Sequence, residues 1–140
     1  MRKGFTMVEL VFVIVIIGIV SAIALPKFGE VRNQAVLSQG LSTLNTVRTA
    51  VATEAQRRSL SGDATAITSL SAGGKVFDQF NADQDGEKKD ILLYPKASCT
   101  DEGCWSGSGV DYTYYLPGGG TCSFTVSDDK FVGNCPKLKS

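Results

Sequence analysis

The chain has 140 residues, 43 % of them hydrophobic, with 14 Lys plus Arg against 14 Asp plus Glu and a formal net charge of zero. That length excludes a multidomain enzyme, and the balanced charge supplies no global positive field to draw in nucleic acid or an anionic membrane surface. The sequence has no histidine, which removes imidazole acid/base catalysis, Ser-His and Cys-His nucleophile pairs and imidazole metal sites; no nucleophile elbow or phosphate loop is present either, and the expectation is a protein that is not an enzyme.

The N-terminus sets the class. From Leu10 to Leu25 the chain runs LVFVIVIIGIVSAIAL without a charge, and between Phe5 and Leu25 the only charge is Glu9. A helix over this stretch reaches roughly 31 Å at about 1.5 Å per residue, about the thickness of a bilayer's hydrocarbon core. Residues 5–26 are therefore predicted to be a transmembrane helix. Arg2 and Lys3 precede it, so the positive-inside bias leaves the short N-terminus in the cytoplasm and exports the residues after Lys27. Glu9 is out of place, because a carboxylate in a span costs on the order of 2.5–3.5 kcal/mol at the helix centre and less near an end. Snorkelling or protonation would relieve it, as would a partner of opposite charge.

The string Lys3-Gly4-Phe5-Thr6-Met7-Val8-Glu9-Leu10, followed by the apolar run, resembles the amino terminus of type IV prepilins and of type II secretion pseudopilins. The resemblance covers about the first 30 residues. It implies a leader at residues 1–4, cleavage between Gly4 and Phe5 by a prepilin peptidase, and N-methylation of Phe5. It also implies that Glu9 meets the N-terminal ammonium of Phe5 in a neighbouring subunit, an arrangement that physics favours because a buried carboxylate and a buried amine are each costly alone and far less so together. Loss of Arg2 and Lys3 leaves 12 basic against 14 acidic side chains and removes the charges that tether the helix to the cytoplasmic face. A competing pattern is Ala22-Ile23-Ala24, small-x-small after an apolar run, as in a signal peptide whose removal would free a domain starting at Leu25. Against it stand the length of the run and the interruption at Glu9. A permanently anchored membrane protein is the third reading.

Helical periodicity continues past the apolar run. Leu37, Leu41, Leu44, Val47, Val51 and Ala55 form one stripe at spacings of 3 and 4, with Arg32, Gln39, Arg48, Gln56 and Arg57 mostly directed elsewhere. The helix is predicted to run to about Ser59, its amphipathic half over 27–60. Pro26, Gly29 and Gly40 are the expected weak points. Residues 61–74, SGDATAITSLSAGG, read as a connector, a loop or a short helix around Ala64 to Leu70. The head, 61–140, is expected to be β-like after Lys75, with strands at Ile91–Tyr94, Val110–Leu116, Cys122–Ser127 and Lys130–Cys135.

If Asp128 and Asp129 form a two-residue turn, opposed residues of the last hairpin have numbers summing to 257, and Cys122 faces Cys135 in a non-hydrogen-bonded pair, where Cα atoms lie closest. Phe124, Val126 and Phe131 share that face. Closing the loop of 14 residues is worth about 3 kcal/mol in the chain-entropy model. Cys99 and Cys104 remain as a second pair; four cysteines allow three connectivities, and a four-thiolate zinc site is disfavoured by the absence of a C-x-x-C knuckle.

Asn81-Ala-Asp83-Gln-Asp85-Gly86-Glu87 places oxygen donors at alternate positions before a glycine, like the first half of an EF-hand loop. The twelfth position is Leu92, and Lys88 and Lys89 oppose a cation, although Asp90 or Asp78 offers a substitute carboxylate. The candidate calcium ligands are Asn81, Asp83, Asp85, Glu87 and Asp90; the alternative is a solvated turn. The resemblance implies a calcium site in the heads of major pseudopilins, without mapping onto this loop. Trp105, Tyr112, Tyr114, Tyr115 and Phe124 are either an aromatic binding face or core. Arg57 and Arg58 suit the negative end of a helix dipole and are too few for a nucleic-acid footprint.

These readings combine into an α+β, type IV pilin-like chain: a long N-terminal helix, its first half transmembrane, packed on a small antiparallel sheet with disulfides. The resemblance implies a filament subunit stored in the inner membrane with its head outside the cytoplasm, then assembled into a periplasmic or extracellular filament. Implied partners are copies of itself and other pilins, a prepilin peptidase and an inner-membrane platform with a cytoplasmic ATPase. No cofactor is required beyond the candidate calcium, and no nucleic-acid partner is expected. A type II secretion pseudopilin is the alternative within the family, with the calcium-like loop leaning that way and the Cys122–Cys135 loop towards adhesive pilins. Outside the family the alternative is a secreted or anchored binding module.

Overall fold

The computed structural model describes residues 4–138, and of Ala24, Leu25 and Pro26 only the backbone. Met1, Arg2 and Lys3 of the expected leader and the side chain of Pro26 thus lie outside what is described. One helix, α1, runs over Met7–Ser61. Four strands follow: β1 (Trp105–Ser108), β2 (Asp111–Tyr115), β3 (Thr121–Ser127) and β4 (Lys130–Asn134). A short 3-10 turn closes the chain at Pro136–Leu138. The chain divides into two compact units with the boundary between Ala35 and Val36.

The first unit is the apolar part of α1. No single helix among the described residues is long and apolar enough to cross a membrane by itself, whereas Met7–Ile23 and Lys27–Ser61 taken together meet that requirement by length and composition. Leu10, Phe12, Ile14 and Ile17 are all more than half exposed.

The second unit is the head, built on the rest of α1. The strands form one antiparallel meander in the order β1-β2-β3-β4. Alternation along β2 and β3 turns Tyr112, Tyr114, Cys122, Phe124 and Val126 inward, and they meet Leu44, Val47 and Val51 of the helix in a single core cluster. The β3–β4 register pairs Ser127 with Lys130, Val126 with Phe131 and Ser123 with Asn134, numbers that sum to 257. The two turn residues hold φ of 50° and 55°, the left-handed pair that a type I′ hairpin demands. Aspartates tolerate this conformation, and here Asp129 has further work: its Oδ1 accepts the Ile67 N–H at 2.8 Å, tying the hairpin tip to the connector.

One local expectation needs correction, and two are refined. Ile91–Tyr94 is not a strand; the neighbourhood holds only isolated bridges, Gln79 with Asp90 and Val76 with Lys96, and Leu93 and Tyr94 are 84 % and 83 % exposed. Strand β1 takes its place in the sheet. The connector forms no helix around Ala64 to Leu70, because its backbone groups are taken by side chains instead. Asn81 Oδ1 accepts from the N–H groups of Thr68 and Ser69, its Nδ2 donates to the Ala66 carbonyl, and the Leu70 N–H donates to the Tyr112 hydroxyl. Gly40, finally, is a place of close approach: a Cβ there would lie 2.5 Å from Tyr114 Cζ, and the Tyr114 hydroxyl donates to the Val36 carbonyl at 2.9 Å. Helix α1 ends in a Schellman arrangement, with the Asp63 N–H donating to the Arg58 carbonyl, that of Gly62 to Ser59, and Gly62 at φ 76°.

Candidate assembly interface

Gly4, Phe5 and Thr6 precede the first turn of α1. Gly4 is exposed, with open space where a Cβ would stand, and Phe5 is 77 % exposed. Thr6 caps the helix: its Oγ1 accepts the Glu9 N–H at 3.3 Å, while its carbonyl accepts the Leu10 N–H at 3.2 Å. Threonine at the cap with glutamate three residues later is the sequence signature of a capping box, a local reason for Glu9 that the sequence reading did not use. Glu9 also lies in the first turn, where a carboxylate suits the positive end of the helix dipole. Its side chain is exposed, it takes part in no ion pair among the described residues, and it stands among exposed Phe5, Val8 and Phe12.

The head binds its disulfides differently. Cys122 and Cys135 are joined within the core, 3 % and 6 % exposed, whereas Cys99 and Cys104 are joined across a half-buried loop next to β1. All four thiols are thereby consumed.

The candidate calcium residues are separated by other duties. Asp83 is buried, its Oδ2 accepting Arg57 Nη2 at 2.8 Å and its Oδ1 the N–H groups of Asp85 and Glu87. Asn81 is spent on the connector, Asp90 accepts from Gln79 Nε2, and Glu87 pairs with Lys89. Asp85 is exposed. Among the described residues no three His, Cys, Asp or Glu side chains are grouped as a metal site requires.

The loop locks the end of α1. Glu54 is 5 % exposed and takes Arg57 Nη2 at 2.7 Å and Arg58 Nε at 2.8 Å on one oxygen, and Arg57 Nε at 2.9 Å on the other. Arg58, 3 % exposed, also donates to the carbonyls of Thr65 and Asn81. The Arg57 hydrogen bonds hold the Glu54 carboxyl below its ordinary range against the opposing effect of burial. Asp83 is held low chiefly by the Glu87 N–H, with Arg57 assisting, and Asp63 by its hydrogen bonds from Thr65. The sequence reading assigned Arg57 and Arg58 to the helix dipole and missed this network. Its signal was present as Glu54 three and four residues before the two arginines.

The aromatic residues are core. Trp105 meets Phe77, Tyr114 and Phe124 at centroid distances of 5.1, 4.9 and 5.2 Å; Tyr112 donates its hydroxyl to the Gly109 carbonyl, and burial raises its pKa. Only Tyr115 of the five is partly exposed.

The chain thus joins an exposed apolar helix with a capped acidic first turn to a disulfide-bonded α+β head. Residues 1–25 match the family model described as the prokaryotic N-terminal methylation motif. In its N-terminal segment the chain is similar to type IV pilins. It is 40 % identical over 55 residues to a fimbrial protein of Moraxella nonliquefaciens, covering 39 % of this chain and 36 % of that one. To the type IV narrow pilus major component PilA5 of Thermus thermophilus it is 50 % identical over 50 residues, 36 % of this chain and 43 % of the relative. To the type IV major fimbrial protein FimA of Dichelobacter nodosus it is 40 % identical over 53 residues, 38 % and 34 % of the two chains. The match thus spans less than half the length of each of these relatives. No solved structure matches the chain.

Proposed function

We propose that this chain is a structural subunit of a type IV pilus-like filament, made as a membrane-anchored precursor, cut between Gly4 and Phe5, N-methylated on Phe5 and assembled through α1. The observation that carries this reading is the methylation motif over residues 1–25, set on a helix whose apolar side chains are exposed. The named pilus and fimbrial relatives support it. Such a helix needs lipid before assembly and other helices after it, because its apolar surface has no partner in its own unit. Glu9 then meets the Phe5 ammonium of the next subunit, which neutralises the one carboxylate of the apolar segment. The peptidase, the assembly platform and its ATPase are the partners this route requires. The pseudopilin alternative drew on the calcium-like loop, and that loop is tied to Arg57.

Intact-mass analysis of the protein from its native membrane tests the reading. A chain beginning at methylated Phe5 supports it; a start at Leu25, or a retained leader, overturns it. In the same system Glu9→Ala keeps the Thr6 cap, which uses a backbone N–H, and is expected to leave processing intact while lowering filament yield at least tenfold. Normal filaments from that variant would sink the Glu9–Phe5 pairing.

A further inference from the structure

The two disulfides differ in reach. Cys122 and Cys135 are buried with Phe124, Val126 and Phe131, whereas Cys99 and Cys104 are each only half-buried and close a loop in which Thr100, Asp101 and Glu102 are exposed and Gly103 is half-buried. That loop is hooked to the rest of the head by backbone bonds on both sides. Cys99 N–H donates to the Trp105 carbonyl, Gly103 N–H donates to the Tyr115 carbonyl at 2.8 Å, and Tyr115 N–H donates to the Cys104 carbonyl at 2.9 Å. The loop also reaches α1, since a Cβ at Gly103 would stand 2.6 Å from Val36 Cγ1. Val36 is the residue whose carbonyl receives the Tyr114 hydroxyl. One loop therefore clasps the end of β2 and the helix, and one accessible bond holds that loop closed.

We propose that Cys99–Cys104 is a redox-sensitive clasp of the head, opened by an external dithiol under conditions that leave Cys122–Cys135 intact. A thiolate of the dithiol attacks one cysteine sulfur, the S–S bond breaks and a mixed disulfide forms. The second thiol of the reagent then attacks its own mixed-disulfide sulfur and leaves as a cyclic disulfide. The reagent is oxidised by two electrons, and Cys99 and Cys104 end as two protonated thiols. Exchange requires in-line access to a sulfur, which the buried bond denies and the half-buried one grants. Opening releases Gly103 from Val36 and frays the Cys104–Tyr115 pairing, while β2, β3 and β4 stay joined through their own registers. The clasp thus loosens the junction of sheet and helix without unfolding the head.

The test uses the full chain in detergent micelles, exposed to graded dithiothreitol at native pH, then alkylated and mapped by peptide mass. Labelling of Cys99 and Cys104 at least tenfold faster than of Cys122 and Cys135 is the expected result. Equal rates, or earlier labelling of Cys122 and Cys135, overturn the proposal. Hydrogen exchange on the same samples reads the second half of the claim: the amides of Gly103 and Tyr115 should lose protection when the first pair is reduced, while those of β3 keep theirs. Unchanged protection at both amides would show that the bond clasps nothing. The double variant Cys99→Ser with Cys104→Ser, which should fold with the same pattern of lost protection, separates release of the loop from any effect of the reagent.

Discussion

Along the single helix α1, Leu10, Ile14 and Ile17 are 55 %, 58 % and 57 % exposed, whereas Leu44, Val47 and Val51 are at most 1 % exposed. The residue types are alike and both sets are helical; what differs is that the second set is packed into the core of the head with the sheet, whereas the first set is exposed among the described residues. Full burial of such a side chain is worth about 1.5–3 kcal/mol, so the head collects that stabilisation on folding and the apolar segment still has it to gain. On the proposed function, folding and assembly are written on one element and separated along it. The comparison makes a demand: changes in the head should cost stability whether or not subunits meet, and changes in the apolar segment should cost assembly alone.

Trp105→Ala should produce the largest effect. The ring touches Phe77, Tyr114 and Phe124 at the centre of the head, and truncating a buried aromatic of this kind costs about 3–5 kcal/mol. Chemical denaturation followed by near-ultraviolet circular dichroism would measure it. A loss below about 1 kcal/mol would mean that the core is centred elsewhere. The same residue explains why β1 was not legible: Trp-Ser-Gly-Ser offers one apolar side chain and no alternation, and its place is fixed by the pairing of Trp105 with Tyr114 across the sheet. Ile91–Tyr94 erred in the opposite sense, four β-prone residues in a segment that finds no partner strand. By contrast the hairpin register followed from local information, two aspartates and two cysteines, and α1 from an apolar run that grades into a stripe.

Glu54→Ala should come next. It strips the buried Arg58 of its carboxylate and leaves that guanidinium to carbonyl oxygens, at a cost of about 3 kcal/mol, the lower end for breaking a buried pair. The network also gives the head a pH dependence. The carboxyls of Glu54, Asp63 and Asp83 all lie below their ordinary range when folded, so their stabilisation is present above the unfolded values near 4 and is lost as pH falls through the folded ones. Melting temperatures between about pH 6 and pH 3 should fall, and Glu54→Ala should flatten that fall; an unchanged slope would remove Glu54 from the account. None of this was legible as a network, because Arg57 and Asp83 are 26 residues apart and their meeting depends on how the connector folds. Of the alternating oxygens at Asn81, Asp83 and Asp85, those of Asp83 are answered by a guanidinium from α1.

Gly40→Ala should be smaller. Alanine is favoured over glycine in a helix by just under 1 kcal/mol, yet its Cβ would meet the Tyr114 ring, which is fully buried and anchored through its hydroxyl to Val36. Overpacking of this kind costs about 1–3 kcal/mol, so a net loss of up to about 2 kcal/mol is expected from denaturant midpoints. A stabilised variant would show that the ring gives way and that Gly40 is, as its composition alone suggests, only a weak point of the helix.

The smallest expected effect lies on the other side of the boundary. Ile17→Ala removes an exposed side chain from the apolar segment, and substitutions at exposed positions stay within about 0.5 kcal/mol, so the melting temperature of the head should not move. The cost should appear only when subunits meet: if the side chain is buried between helices, losing its extra carbons at about 0.8 kcal/mol each weakens every contact it makes, and the yield of filaments should drop while processing at Gly4 continues. Measured together, the two readouts decide the matter. A head destabilised as Trp105→Ala destabilises it would make the apolar segment part of the head's own core, whereas a silent melt with fewer filaments would place its partners in other chains.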